Sequence, residues 1–353
     1  EQGCYVSPSI TSEDEALKTA CETMNKYVGA RITYQFGDKS ETLSGDEIRN
    51  WLTVNGTSVG INEGKATEYV KKLAASYDTA YKAKSLKTSY GKTVSITGGS
   101  YGYKINQAKE AATLVSLIKN GEQTSREPEY SQKGASRTGN DYGNTYVEIN
   151  LTAQHLYFYV KGKLVVQADF VSGNAAKGWS TPAGAYSITY KQRNATLKGQ
   201  GYATPVSYWM PFNGGIGLHD ANWRKTFGGT IYKTNGSHGC VNLPPAVAKT
   251  IYENISAGDP VLCYHLDGTE SASTSGTKKD ETAATTAAAT TAAPKTTAAP
   301  TTAAPETTAA PTTAAPTTEA PTTPAAGGDQ ESVGPGFAPE TEGTTEQEVG
   351  PGF

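Results

Sequence analysis

Residues 280–326 repeat a TTAAP-like unit, as in TTAAPKTTAAPTTAAPETTAAPTTAAPTTEAP, and this tract sets the first limit on the fold. Proline at regular intervals blocks helix and strand pairing, and Ala and Thr offer too little apolar surface to offset the entropy of ordering. The tract reads as an extended, solvated spacer of the kind that carries O-glycans on exported proteins. Beyond it VGPGF occurs twice, at 333–337 and 349–353, and reads as an unstructured duplication in acidic linker. A disordered tail over 268–353 leaves the folded part before about residue 267. The apolar share of 36% is below the usual globular value and fits a chain that is only partly core.

The length of 353 residues still allows two domains ahead of the tail. A net charge of −3 with no basic run gives no electrostatic footprint for nucleic acid or a membrane surface. No stretch is apolar for long enough to cross a bilayer. The chain begins with Glu1 rather than Met, so a preceding piece is expected, and an export signal or membrane anchor would fit there. Cys4, Cys21, Cys240 and Cys263 are too few for a disulfide scaffold; Cys4 and Cys21 either pair after export or stay free.

Residues 12–125 read as an α+β domain. Helices are expected over 12–29, over 43–52, over 62–81 with Tyr69, Leu73 and Tyr77 on one face, and over 106–121 with Gly121 as C-cap. ARITYQFG and KTVSITGG alternate as strands. Residues 126–143 lose periodicity, collect Gly, Ser, Pro and Asn, and read as a linker. Residues 144–267 then turn mainly β: alternating runs over 145–173 with KGK as a tight turn, followed by GAYSITY, PVSYWMPF, GGIGLHD and DPVLCYH. One helix, PPAVAKTIYENI, enters through proline. Short strands with a single helix predict a small sandwich or barrel.

The chemistry concentrates in NGSHGCVNLPP, residues 235–245. Cysteine attacks as the thiolate, so it needs a base, and His219 and His238 are the two candidates. Amides of the Gly-rich loop can point at a developing oxyanion. A buried inert thiol is the competing reading for Cys240. A zinc reading pairs His238 and Cys240 with Cys263 and His265, but the spacing is short for such sites and no carboxylate cluster accompanies it. Cys263 itself reads as a buried thiol, and His155 and His265 as ordinary strand residues.

The wider string is His219-Asp220, 16 further residues, then Ser237-His238-Gly239-Cys240-Val241-Asn242. It resembles the complete signature of L,D-transpeptidases with a YkuD-type catalytic domain. STPAGAYSI resembles that family's T-P-x-G-x-[FY] element, VEINLTAQHLYFYVKGKLVVQADFVSG its opening hairpins, and ISAGDPVLCY its closing strand. The resemblance implies Cys240 as nucleophile and His219 as base, with Asp220 orienting the ring through its backbone carbonyl or its carboxylate. It implies that Ser237, His238 and Gly239 shape the nucleophile loop, that the N–H groups of Gly239 and Cys240 are the oxyanion donors, and that Asn242 braces the loop or binds substrate. Tyr208 and Trp209 resemble the aromatic strip of the lid over the donor site; β-core packing is the plainer alternative. Residues 12–125 resemble, more loosely, the peptidoglycan-binding domain often placed before YkuD-type domains in Gram-positive wall enzymes.

The implied activity is cross-linking of bacterial peptidoglycan outside the cytoplasm, in the wall or secreted, with stem peptides as partners: a donor tetrapeptide and an acceptor diamino acid. An L,D-carboxypeptidase and a non-catalytic wall binder are the alternatives. No metal or organic cofactor is expected, because thiolate, imidazole and backbone dipoles cover the charges that develop.

Overall fold

The computed structural model describes residues 11–199 and 202–270. The Thr/Ala/Pro tract, both VGPGF copies and Cys4 lie outside the described residues. The ordered part passes residue 267, since Thr269 Oγ1 accepts from Asn150 Nδ2 at 2.9 Å and donates to Leu266 O at 2.6 Å.

The N-terminal part is built from three capped helices and a small sheet. Asp14 caps the helix Glu15–Val28, Asn62 caps Glu63–Tyr77, and Asn106 caps Gln107–Asn120, which closes on Gly121 at φ +69°. The strand Arg31–Phe36 is central, antiparallel to Lys39–Leu43 and parallel to Gln123–Arg126. Its inward residues Ile32 and Tyr34 pack with Tyr69, Val70, Leu73, Leu114 and Ile118. Tyr77 joins that face by stacking on Phe36, with ring centroids 3.8 Å apart.

Two helix boundaries differ from the sequence reading. The expected helix over 43–52 is one turn, Gly45–Ile48, and a 3-10 turn, Arg49–Trp51. The chain then enters a hairpin, Leu52–Asn55 with Ser58–Ile61, turned by Gly56 at φ +59°. The helix expected to reach 81 stops at Tyr77, where Asp78 turns its carboxylate to accept from Ile105 N–H at 2.9 Å.

Residues 126–143 carry little regular structure, yet side chains hold them closely. Arg137 donates to Tyr77 O at 2.7 Å and Tyr130 OH at 2.6 Å, and lies 3.8 Å over the Tyr103 ring. Asp141 pairs with the buried Lys84. The hairpin Lys84–Lys87 with Thr93–Ile96 packs against the C-terminal sheet: Leu86, Ile96, Tyr101 and Tyr142 share a cluster with Ala185, Leu262 and Tyr264. Glu148, fully buried, pins that hairpin by accepting from Ser89 N–H and Oγ and from Tyr264 OH.

From residue 146 the chain forms two sheets over one core. The first is ordered Lys163–Asp169, His155–Val160, Tyr146–Asn150, Pro260–Tyr264, Gly184–Ser187. The second is ordered Gln192–Gly199, Tyr202–Asn213, Ile216–Asp220, Val241–Leu243. Val147, Ile149, Phe158, Met210, Phe212, Leu218, Val241 and Val261 fill the space between them, and the helix Pro245–Asn254 closes it with Ala248 and Ile251. A short helix, Ile231–Asn235, also precedes the cysteine motif. No helix among the described residues is long and apolar enough to cross a membrane.

Candidate active site

The strand Ile216–Asp220 runs parallel to Val241–Leu243, with His219 opposite Asn242 and Leu218 opposite Val241. Cys240 comes immediately before the strand Val241–Leu243 and directly after Gly239. That register fixes His219 beside the strand that Cys240 leads into.

The nucleophile loop is held from three directions. Ser237 Oγ donates to Cys240 O at 2.6 Å and accepts from Gly239 N–H at 3.1 Å, closing the turn on itself. The segment after Asp169 pairs with it: Ser237 N–H donates to Ser172 O, Asn174 N–H to Ser237 O, and Val171 and Asn242 exchange both backbone bonds. Thr181, the threonine of the T-P element, accepts from Gly173 N–H at 3.0 Å and donates to Gly239 O at 2.6 Å. Gly239 sits at φ +116°, a conformation that side chains resist. At rest the Gly239 N–H is engaged by Ser237 Oγ.

Gly173 is where two backbones meet. A Cβ there would lie 1.7 Å from Trp179 O and 2.9 Å from Gly239 Cα. Gly173→Ala is expected to cost about 1–3 kcal/mol, by overpacking, and to slow Cys240 modification. A thermal melt alongside timed alkylation checks both; an unchanged melt and rate would show that the loop yields.

His219 is buried, at 3% exposure, and its Nδ1 lies 2.8 Å from Asp220 O. A carbonyl only accepts, so Nδ1 carries the proton and Nε2 the lone pair. Of the two contacts open to Asp220, the backbone carbonyl is therefore the one made; its carboxylate accepts from Tyr208 N–H at 2.8 Å. Nε2 faces Asn242 Nδ2 at 3.1 Å, and Cys240 Sγ donates to Gly215 O at 3.5 Å. Burial lowers the His219 pKa from 6.5, against the raising influence of Asp220. Burial also pushes the Cys240 thiol up to about 11, partly offset by Gly217 N–H. The resting pair is a neutral thiol and a neutral imidazole, each hydrogen-bonded to a neighbour rather than to the other.

The other predicted residues separate. His238 is exposed and stacks on Trp179, with centroids 4.2 Å apart. Trp209 is buried, packs with Ala195, Val206 and Cys240, and lies 5.9 Å from the His219 ring. Tyr208, its neighbour in sequence, points to the other face of the strand, against Tyr252 and Arg193. Cys263 is wholly buried in the sandwich core, where burial raises its pKa far above the ordinary thiol value. His155 contacts Asp169 at 2.6 Å.

Sequence reasoning missed Arg224, whose Nε donates to Asn242 Oδ1 at 2.7 Å and whose Nη1 donates to Asn235 O at 2.9 Å. It also missed the exposed Trp223, 6.0 Å from the His219 ring, and Trp179. Nothing in their local pattern marks them; only the closed loop brings them together.

Comparison with known proteins gives a family for both folded regions. The profile of the YkuD L,D-transpeptidase catalytic domain matches residues 144–263, and that of the "Putative peptidoglycan binding domain" matches residues 10–126. Among solved structures, the chain is similar to a cysteine-to-serine mutant of the Enterococcus faecium L,D-transpeptidase. That match has 32% identity and a TM-score of 0.57, covering 69% of this chain and 99% of the other. A second similar structure is the Ldtfm–avibactam carbamoyl enzyme, at 33% identity and a TM-score of 0.58, covering 70% and 98%. No curated protein matches. The chain belongs to the L,D-transpeptidase family, with a YkuD catalytic domain behind an N-terminal peptidoglycan-binding domain.

Proposed function

We propose that this enzyme cross-links peptidoglycan stem peptides through a thioester on Cys240, acting outside the cytoplasm on the wall. The observation that carries the reading is the His219 tautomer: Nδ1–H is committed to Asp220 O, which leaves Nε2 as the basic nitrogen, on the strand paired with the one that Cys240 leads into.

Sγ leaves Gly215 O, gives its proton to Nε2 and attacks the carbonyl carbon of the third stem residue, an L-centre diamino acid. The tetrahedral oxyanion then collapses, the C–N bond to the terminal D-Ala breaks, and His219 returns the proton to the leaving amine. D-Ala departs and the acyl group stays on sulfur. A side-chain amine of a neighbouring stem attacks the thioester, loses its proton to Nε2, and the C–S bond breaks to give a 3→3 cross-link. Asn242 braces the base, Ser237 and Gly239 hold the loop, and Trp209 walls one side of the thiol.

With His219 depressed below 6.5 by burial, the acid limb of acylation is expected below the ordinary histidine value. Activity then rises as pH climbs through that low pKa and is already level near neutrality. A pH–rate profile of kcat/KM on free enzyme checks it; a limb at or above 6.5 would contradict the buried neutral base.

Incubation with a disaccharide-tetrapeptide, with and without an amine acceptor, tests the reaction. Cross-linked dimer with release of D-Ala is the expected product. Tripeptide alone in the presence of acceptor would make the protein an L,D-carboxypeptidase, and intact substrate with bound glycan a wall binder.

A further inference from the structure

The hydrogen bonds around His219 form a chain with two fixed ends. Arg224 Nε can only donate, so the Asn242 atom 2.7 Å away is the amide oxygen. Asn242 must then turn its NH₂ toward His219 Nε2, 3.1 Å away. At the far end Asp220 O can only accept, so the imidazole proton sits on Nδ1. Every link therefore has one direction, running from Arg224 through Asn242 and His219 to the Asp220 carbonyl. The second arm of the guanidinium holds Asn235 O, so one side chain grips both ends of the nucleophile loop.

We propose that Arg224 is a positioning residue that acts on His219 through Asn242, fixing the imidazole tautomer and restraining its basicity until the thiol proton arrives. The proposal rests on the assignment of Cys240 and His219 above. A protonated Nε2 would face the NH₂ of Asn242 donor to donor, so proton uptake requires that contact to open. Arg224, by holding the amide oxygen, resists the flip that would present oxygen to the imidazolium and stabilise it. Its positive charge acts in the same direction. The other charged group acting on the ring is the Asp220 carboxylate, turned to Tyr208 N–H; Trp209 and Trp223 beside the ring carry no charge.

The test is the pH dependence of Cys240 acylation by a β-lactam of the carbapenem class, read by intact mass, in wild type, Arg224→Met, Arg224→Lys and His219→Ala. Arg224→Met frees Asn242 to flip, and the acid limb is expected to move up by about one pH unit. Arg224→Lys keeps a charge and a donor toward Asn242 and is expected to restore most of the wild-type midpoint. A purely structural arginine would lower the melting temperature and the plateau rate but leave the midpoint in place, and that result would overturn the proposal. Should Arg224→Met not fold, nitrogen-15 NMR of wild-type His219 decides alone. The Nδ1–H tautomer at neutral pH supports the proposal, and a dominant Nε2–H tautomer overturns it. The His219→Ala control separates the two claims. An acid limb that persists without His219 removes the base assignment itself, whereas one that vanishes there but ignores Arg224 removes only the role of the arginine.

Discussion

Replacing His219 by alanine is expected to slow acylation of Cys240 by about 10²–10⁴-fold, with the thiol still present and the fold retained. The size follows from the resting state. A thiol near pKa 11 is almost wholly protonated at neutral pH, so without a base the reactive thiolate is scarce. His219 offers a lone pair from the neighbouring strand, with its other nitrogen anchored on Asp220 O. Because both residues serve one proton transfer in the proposed mechanism, their effects should not add. Cys240→Ala alone and the double variant should be equally inert. Raising the pH should partly rescue His219→Ala and not Cys240→Ala. Equal rates in wild type and His219→Ala at neutral pH would mean that another group takes the proton.

The largest stability effect is expected in the other domain. Glu110 is fully buried, yet accepts from Arg126 Nη1, Tyr34 OH and Glu129 N–H, each at 2.6 Å. The carboxylate is acceptable there because three donors replace its water. Glu110→Ala leaves the Arg126 charge without its closest partner, next to the hydroxyl of a buried tyrosine and an unpaired amide. Removing one member of a buried pair costs about 3–5 kcal/mol. The expected result is a large fall in the melting temperature, followed by circular dichroism on the full chain. Below that melt, acylation at Cys240 should be close to wild type, since Glu110 belongs to the N-terminal core. An unchanged melt would show that water reaches Glu110 and pays the solvation cost.

Much of the site was legible because its chemistry is local in sequence. Ser237 through Asn242 are contiguous, and the turn closes on itself through the Ser237 hydroxyl with Gly239 at φ +116°. His219 was legible from its spacing, and strand pairing then places it beside the loop. What could not be read depends on contacts between distant segments. Arg224 looks like any loop arginine until the loop folds back over it. Tyr208 and Trp209 are adjacent in sequence, and strand alternation sends them to opposite faces. The hairpin about Gly56 is a missed signal rather than a hidden one: Asn-Gly between short runs marks a turn. Residues 126–143 show the reverse case. Their composition suggests a free connection, yet Arg137 and Asp141 find partners across the fold that no local pattern announces.

The most direct measurement is the intact mass of the protein quenched in acid during turnover of a disaccharide-tetrapeptide. The account predicts an added mass equal to the muropeptide less D-Ala, located on the peptide that contains Cys240 and absent from Cys240→Ala. Cross-linked product formed with no such adduct under rapid quenching, or an adduct on Cys263 instead, would contradict it.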